Sequence, residues 1–427
     1  MNINLNFIKK LITPLVLKGF GMLISFCSIF IIINKFGLEM FGQYAQSVSF
    51  LLFLSGVAAY GYPQSFFRDS ALMNFFQKKK LFNQMLHITF YISLLILPLL
   101  TLYFYFIDEL TFSQIFIIVI AFLFMVTSRL RFTLLRTTKY VRFGEIPEQI
   151  IKPLVLVIFV LLLPKDDIGS LYLALCIGLI CAFIVNLMFL KNYYRLPSSF
   201  NINRKLIRFN AKNTNTQLWI SNGLVLFKDF FELFIIGLLF GDAVSGEYKL
   251  VLQIYVVLMS VFNTMALINS HIFAKLIASK NYNEVNKKAL SEITPSMILL
   301  SILIIFIIVA EFLFNITEQL QMSKISIYAV IVFMIFSIIN IAYGPVSQLL
   351  IHSRQIKKLI VMTIIRILTV FFSAIIANFI GLYQLFFFAL LIVFVDVFVL
   401  LFASRSLYNK IGYITPFYQK LNKILSR

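Results

Sequence analysis

Charge is scarce in this 427-residue chain: Asp, Glu, Lys and Arg make up 13% of it, with 17 acidic residues against 37 basic ones. A soluble domain of this length needs more charge than that to cover its surface, so a water-soluble enzyme or scaffold is excluded. Cysteine is nearly absent. Cys27, Cys176 and Cys181 all fall in apolar runs, which leaves neither a disulfide framework nor a metal-ligand spacing, and they are expected as small buried hydrophobes. No Gly-rich phosphate loop follows a strand, no paired His ligands sit at helical spacing, and no polar stretch is long enough to hold a catalytic or nucleic-acid-binding module. These gaps argue against an enzyme and against nucleic acid as a partner. What fills the chain is apolar: 61% of its residues are hydrophobic and 49 are Phe.

The lipid bilayer is therefore the expected surroundings. The first apolar run, about Leu15 to Asn34, follows Lys9 and Lys10, is too long for a signal-peptide core and has no small-residue cleavage site after it. It is expected to stay as a membrane helix. Windows of about 20 apolar residues predict spans near 14–34, 44–66, 82–106, 112–135, 148–163 and 170–190, then near 214–240, 247–271, 295–314, 325–350, 359–380 and 384–403. The fifth is short and carries Pro147 and Pro153 at its start. Twelve spans put both termini on one side. The loops on that side hold 30 Lys and Arg, against four (Lys35, Lys165, Lys249, Lys324) on the other, so the positive-inside rule makes the termini cytoplasmic.

Residues 30–44, FIIINKFGLEMFGQY, match residues 234–248, FIIGLLFGDAVSGEY, at seven of fifteen positions without a gap. The offset of 204 residues divides the chain nearly in half, as parallel repeats do in many transporters. The expected fold is an all-α integral membrane protein of twelve transmembrane helices in two six-helix lobes around a central cavity. Its parts are an N-terminal lobe over 1–190, a basic cytoplasmic linker over 191–213, a C-terminal lobe over 214–403 and a basic cytoplasmic tail over 404–427. The linker and tail either lie on the anionic inner leaflet or are plain solvated segments.

A charge inside a span costs about 2.5–3.5 kcal/mol on insertion scales, so one that persists faces a cavity or a partner. Lys18 shares a face of the first span with Gly21, Ser25 and Ser28, a polar stripe that either lines water or leaves Lys18 to snorkel to the headgroups. The seventh span is the most polar. Lys228 stands four residues before Glu232 at ion-pair spacing, and Asp229 or Glu232 could change charge during a cycle. Arg366 and Asp396 each lie fifteen residues from Gly381, where the last hairpin turns, so antiparallel packing predicts an ion pair. The 204 offset also sets Arg68 opposite Ile272, beside His271, at the cytoplasmic ends of spans two and eight.

Together these residues resemble the polysaccharide flippases of the multidrug/oligosaccharidyl-lipid/polysaccharide exporter superfamily, in particular the O-antigen and capsule repeat-unit translocases. The resemblance rests on the Phe36 to Tyr44 segment ending helix one, on Gly61 followed by Arg68, and on Asp229 followed by Gly241, Gly246 and Tyr248. It implies alternating access and an undecaprenyl-diphosphate-linked oligosaccharide as cargo, in the bacterial cytoplasmic membrane. Lys18, Arg68, Lys228 and Arg366 would meet the diphosphate, and Ser25, Asp229, Glu232, His271 and Asp396 would serve the cavity or the coupling. A polysaccharide polymerase and chain-length machinery are further partners it implies. No cofactor is expected; the coupling ion is H+ or Na+, or the carrier is a uniporter.

Two other classes compete. A drug/cation antiporter of the same superfamily usually places acidic residues in its first lobe, whereas the first six spans read here as having none well inside, and Lys18 favours an anionic cargo. A membrane polymerase or ligase resembles proteins with a large outer loop, and the outer loops here are short.

Overall fold

Inside a bilayer no water is available to backbone N–H and C=O groups, so an apolar chain must satisfy them within its own helices. The computed structural model describes residues 5–63, 66, 75–136, 141–164, 167–193, 214–381 and 383–415, and among these every regular element is helical. In chain order they are α1 (Leu5–Phe36), α2 (Leu38–Ala58), α3 (Phe75–Phe106), α4 (Phe112–Arg136), α5 (Val141–Ile146), a π-helical turn (Pro147–Ile151), α6 (Lys152–Leu162), α7 (Ile168–Tyr193), α8 (Thr214–Phe240), α9 (Asp242–Ala278), α10 (Tyr282–Phe314), α11 (Ile316–Gln319), α12 (Lys324–Tyr343), α13 (Val346–His352), α14 (Ile356–Ile380) and α15 (Gln384–Ile411). Nine of the described helices (α1, α3, α4, α7, α9, α10, α12, α14 and α15) are long and apolar enough to cross a membrane. The other three expected spans coincide with α2, with the π turn and α6, and with the charge-bearing α8. Large apolar side chains such as Leu95, Phe312 and Phe379 stand at least 80% exposed, which only a hydrocarbon surrounding makes favourable.

Several boundaries depart from the hydropathy windows. α3 and α10 begin at Phe75 and Tyr282, well before the windows at 82 and 295, because hydropathy reads the bilayer and not the helix. The tenth predicted span is not continuous: Gly344 has φ 81° and Pro345 offers no N–H, so α12 ends and α13 starts anew. α2 begins at Leu38, not 44, and ends at Ala58.

The repeat has a structural counterpart. Gly37 between α1 and α2 has φ 87° and ψ 168°; Gly241 between α8 and α9 has φ 94° and ψ 161°. The flanking hydrogen bonds repeat as well, Gly37 N–H to Ile33 and Phe41 N–H to Gly37 in one copy, Gly241 N–H to Gly237 and Ser245 N–H to Gly241 in the other. L residues rarely occupy this backbone region, so glycine is required here by conformation: a Cβ would meet nothing within 4 Å at either position.

The chain forms two compact units, residues 1–230 and 231–427. The divide falls inside α8, not in the 191–213 linker, of which 194–213 lie outside the described residues. In the first unit α4 packs on α7 and α3, and α6 on α7 and α1. In the second, α15 packs on α14 and α12 while α9 packs on α10 and α12, around a core that includes Ile236, Tyr248, Phe333, Ala374 and Phe388.

Candidate functional site

Of the nine residues expected to serve transport, the structure describes the side chains of six. Arg68 lies outside the described residues, and Lys18 and His271 are described in backbone only, within α1 and α9.

The small-residue stripe on α1 is a packing surface. Gly21 and Ser28 are buried, and a Cβ on Gly21 would meet the Gln149 carbonyl oxygen of the π turn at 2.5 Å. Ser25 is half-buried, and its carbonyl accepts from Ser28 Oγ at 2.6 Å. The missing side chain of Gly21 lets α1 approach the π turn closely, as small residues do at helix contacts in membranes generally.

On α8, Lys228 Nζ lies 3.1 Å from Asp229 Oδ1, with the lysine 21% and the aspartate 55% exposed. In the second unit Glu232 is buried and accepts from Tyr248 Oη at 3.4 Å. Ser245 Oγ donates to the Leu233 carbonyl at 3.1 Å. The Gly-x4-Gly-x-Tyr segment thus turns at Gly241 and folds α9 back so that its buried Tyr248 meets the Glu232 carboxylate. By the 204 offset the first-unit counterpart of Glu232 is Ser28.

The expected pair in the last hairpin is present. Arg366 Nε donates to Asp396 Oδ1 at 2.6 Å, with side chains 30% and 17% exposed, and Gly381 caps α14 at φ 70°. The arginine is held by one carboxylate and keeps enough exposure to exchange it for another oxyanion.

Other polar groups were missed by sequence reasoning. Arg129, inside the expected 112–135 span, sits on α4 and donates from Nη2 to the Leu52 carbonyl at 3.0 Å. Arg131 stacks 3.9 Å over the Phe183 ring. Glu148 on the π turn pairs with Lys152 at 3.2 Å, and Glu145 on α5 is buried. The first half therefore places acidic residues within its helical packing, just before the expected 148–163 span and at its first residue. The i,i+4 spacing of Glu148 and Lys152 was a readable signal; the helix around Glu145 lay upstream of the apolar window. Lys35 donates to the Val160 and Leu161 carbonyls at 2.7 and 3.1 Å and also to Leu163, which caps the C-terminus of α6. Cys176 is buried as expected, but Cys27 is exposed and Cys181 is half-buried. Among the described residues no group of three His, Cys, Asp or Glu could hold a metal.

Residues 7–268 match the family model described as polysaccharide biosynthesis protein. No curated protein matches the chain. Solved structures resemble it along nearly its whole length. The MATE multidrug transporter DinF-BH is 13% identical with a TM-score of 0.68, covering 95% of each chain. The lipid II flippase MurJ in an inward closed conformation is 15% identical with a TM-score of 0.66, covering 93% of this chain and 89% of its own. A MOP superfamily transporter from Pyrococcus furiosus is 12% identical with a TM-score of 0.63, covering 93% and 95%. At these identities the likeness carries the fold, twelve membrane helices in two six-helix lobes.

Proposed function

Because the chain belongs to the polysaccharide biosynthesis protein family, we propose that it is a flippase that moves an undecaprenyl-diphosphate-linked oligosaccharide repeat unit from the inner to the outer leaflet of the bacterial cytoplasmic membrane. It works by alternating access and serves O-antigen or capsular polysaccharide assembly. The family match is the observation that carries this reading. The fold supports it, since a protein named as a lipid flippase shares it. The charge pattern supports it too: Lys18, Lys228 and Arg366 lie within expected spans, and a diphosphate needs cationic partners. In this scheme the cargo takes over Arg366 from Asp396 and Lys228 from Asp229, and Arg68 and His271 meet it near the cytoplasmic entrance.

An anionic cargo leaving a negative cytoplasm gains about 2.3 kcal/mol per charge per 100 mV. Outward flipping then runs as a uniport. Coupling to H+ or Na+ through Asp229 or Glu232 is the alternative, and a potential imposed on proteoliposomes without ion gradients separates the two.

The second reading, a drug/cation antiporter, gains from Glu145, buried just before the expected fifth span, and from Glu148 at its first residue, which bring acidic groups into the helical packing of the first half. Expression in a strain lacking its own repeat-unit flippase decides between them. Restored surface polysaccharide supports the glycan cargo; export of an organic cation without that restoration supports the antiporter.

A further inference from the structure

Three of the side-chain oxygens buried without a donor among the described residues of the second unit belong to two facing residues, Glu292 and Asn269. Glu292 on α10 is 2% exposed, and neither Oε1 nor Oε2 has a hydrogen-bond partner among the described residues. Asn269 on α9 is also 2% exposed, its Oδ1 is equally unpartnered, and its side chain lies against the Glu292 carboxyl.

The neighbouring hydroxyls are engaged elsewhere. Ser296, one turn further along α10, donates to the Glu292 carbonyl at 2.7 Å, and Thr264 on α9 donates to the Ser260 carbonyl at 2.6 Å. Val285 and Ala289, preceding Glu292 on its own helix, belong to an apolar cluster with Phe273, Leu349 and Leu407. Two ionisable groups act on the carboxyl: Lys288, one turn before it, and Tyr413 beyond α15, whose hydroxyl donates to the Tyr343 carbonyl at 2.9 Å. Next to Asn269, Ser270 Oγ bonds the His352 ring at 2.8 Å, and burial holds that imidazole below its ordinary pKa.

An ionised Glu292 would bury a full charge with the Asn269 amide N–H as its donor and leave Asn269 Oδ1 unpartnered, an arrangement that burial penalises. One added proton resolves it. A neutral carboxyl donates its O–H to Asn269 Oδ1, and its remaining oxygen accepts from the amide N–H, so that acid and amide close a cyclic pair. We propose that Glu292 and Asn269 form a proton-binding site within the second unit. Uptake converts the carboxylate and a hydronium ion into the carboxyl and water, and release reverses this. The site is separate from Asp229 and Glu232, and it stands whether the cargo is a glycan or another molecule.

Infrared difference spectra of the full chain in nanodiscs, titrated from acidic to alkaline buffer, test this without any cargo. The expected result is a protonated-carboxyl carbonyl band that shifts on 13C-glutamate labelling, disappears in Glu292→Gln and moves in frequency in Asn269→Leu. A band that does not respond to glutamate labelling overturns the proposal without relying on any variant. So does a band present in wild type and unchanged in Asn269→Leu. Loss of the band on adding Na+ at constant pH would replace the proton site by a cation site.

Discussion

Removing the Asp396 carboxylate would leave the Arg366 guanidinium without the oxygen that accepts its Nε–H at 2.6 Å. At 30% and 17% exposure the pair lies between two regimes. An exposed pair contributes about 0.2–1 kcal/mol, and stripping one partner from a fully buried pair costs about 3–5 kcal/mol. Asp396→Ala is therefore expected to destabilise the chain by about 2 kcal/mol. Arg366→Ala should cost somewhat more, because the aspartate it strands is the more buried of the two and the aliphatic stem of the arginine is lost as well. The exchange Arg366→Asp with Asp396→Arg keeps both charges on the same pair of antiparallel helices and should recover part of the loss. Unfolding of the full chain in detergent, followed by circular dichroism, measures each variant. The double-mutant cycle on the two alanine substitutions is expected to show a coupling on the order of 1 kcal/mol or more. Additive single effects, with no coupling, would refute the pair as a stabilising contact.

The matched turns make a second expectation: Gly37→Ala and Gly241→Ala should each cost about 1–3 kcal/mol through their backbone angles alone, because neither meets a neighbour within 4 Å. Markedly unequal losses in thermal unfolding would contradict the equivalence of the two turns. Lys35→Met should destabilise by about 1 kcal/mol by freeing the carbonyls at the end of α6, measured in the same way; an unchanged transition would remove Lys35 from that cap.

Much of the fold was legible because a bilayer imposes simple demands. Apolar windows located the spans, the 204-residue offset located two turns that prove to share one backbone conformation, and the distances of Arg366 and Asp396 from Gly381 placed them in contact. The polar interior was less legible. Glu292 escaped notice because its helix runs on past the apolar window that begins near 295, so a buried carboxylate read as part of a loop. Arg129 and Arg131 lie inside the expected 112–135 span, but their basic character was credited to topology and their partners Leu52 and Phe183 were not foreseen. The stripe of Gly21, Ser25 and Ser28 looked like a water-lining face, yet small polar residues serve equally to bring two helices together, and Gln149 of the π turn occupies that approach. Periodicity identifies a face; it does not say what stands opposite.

The central claim is tested most directly in proteoliposomes holding the purified chain and a lipid-linked oligosaccharide repeat unit on the inner leaflet. With a membrane potential imposed, the glycan is expected to become accessible to an externally added glycosidase at a rate that depends on the protein. Glycan that stays protected while the same vesicles transport an organic cation would contradict it.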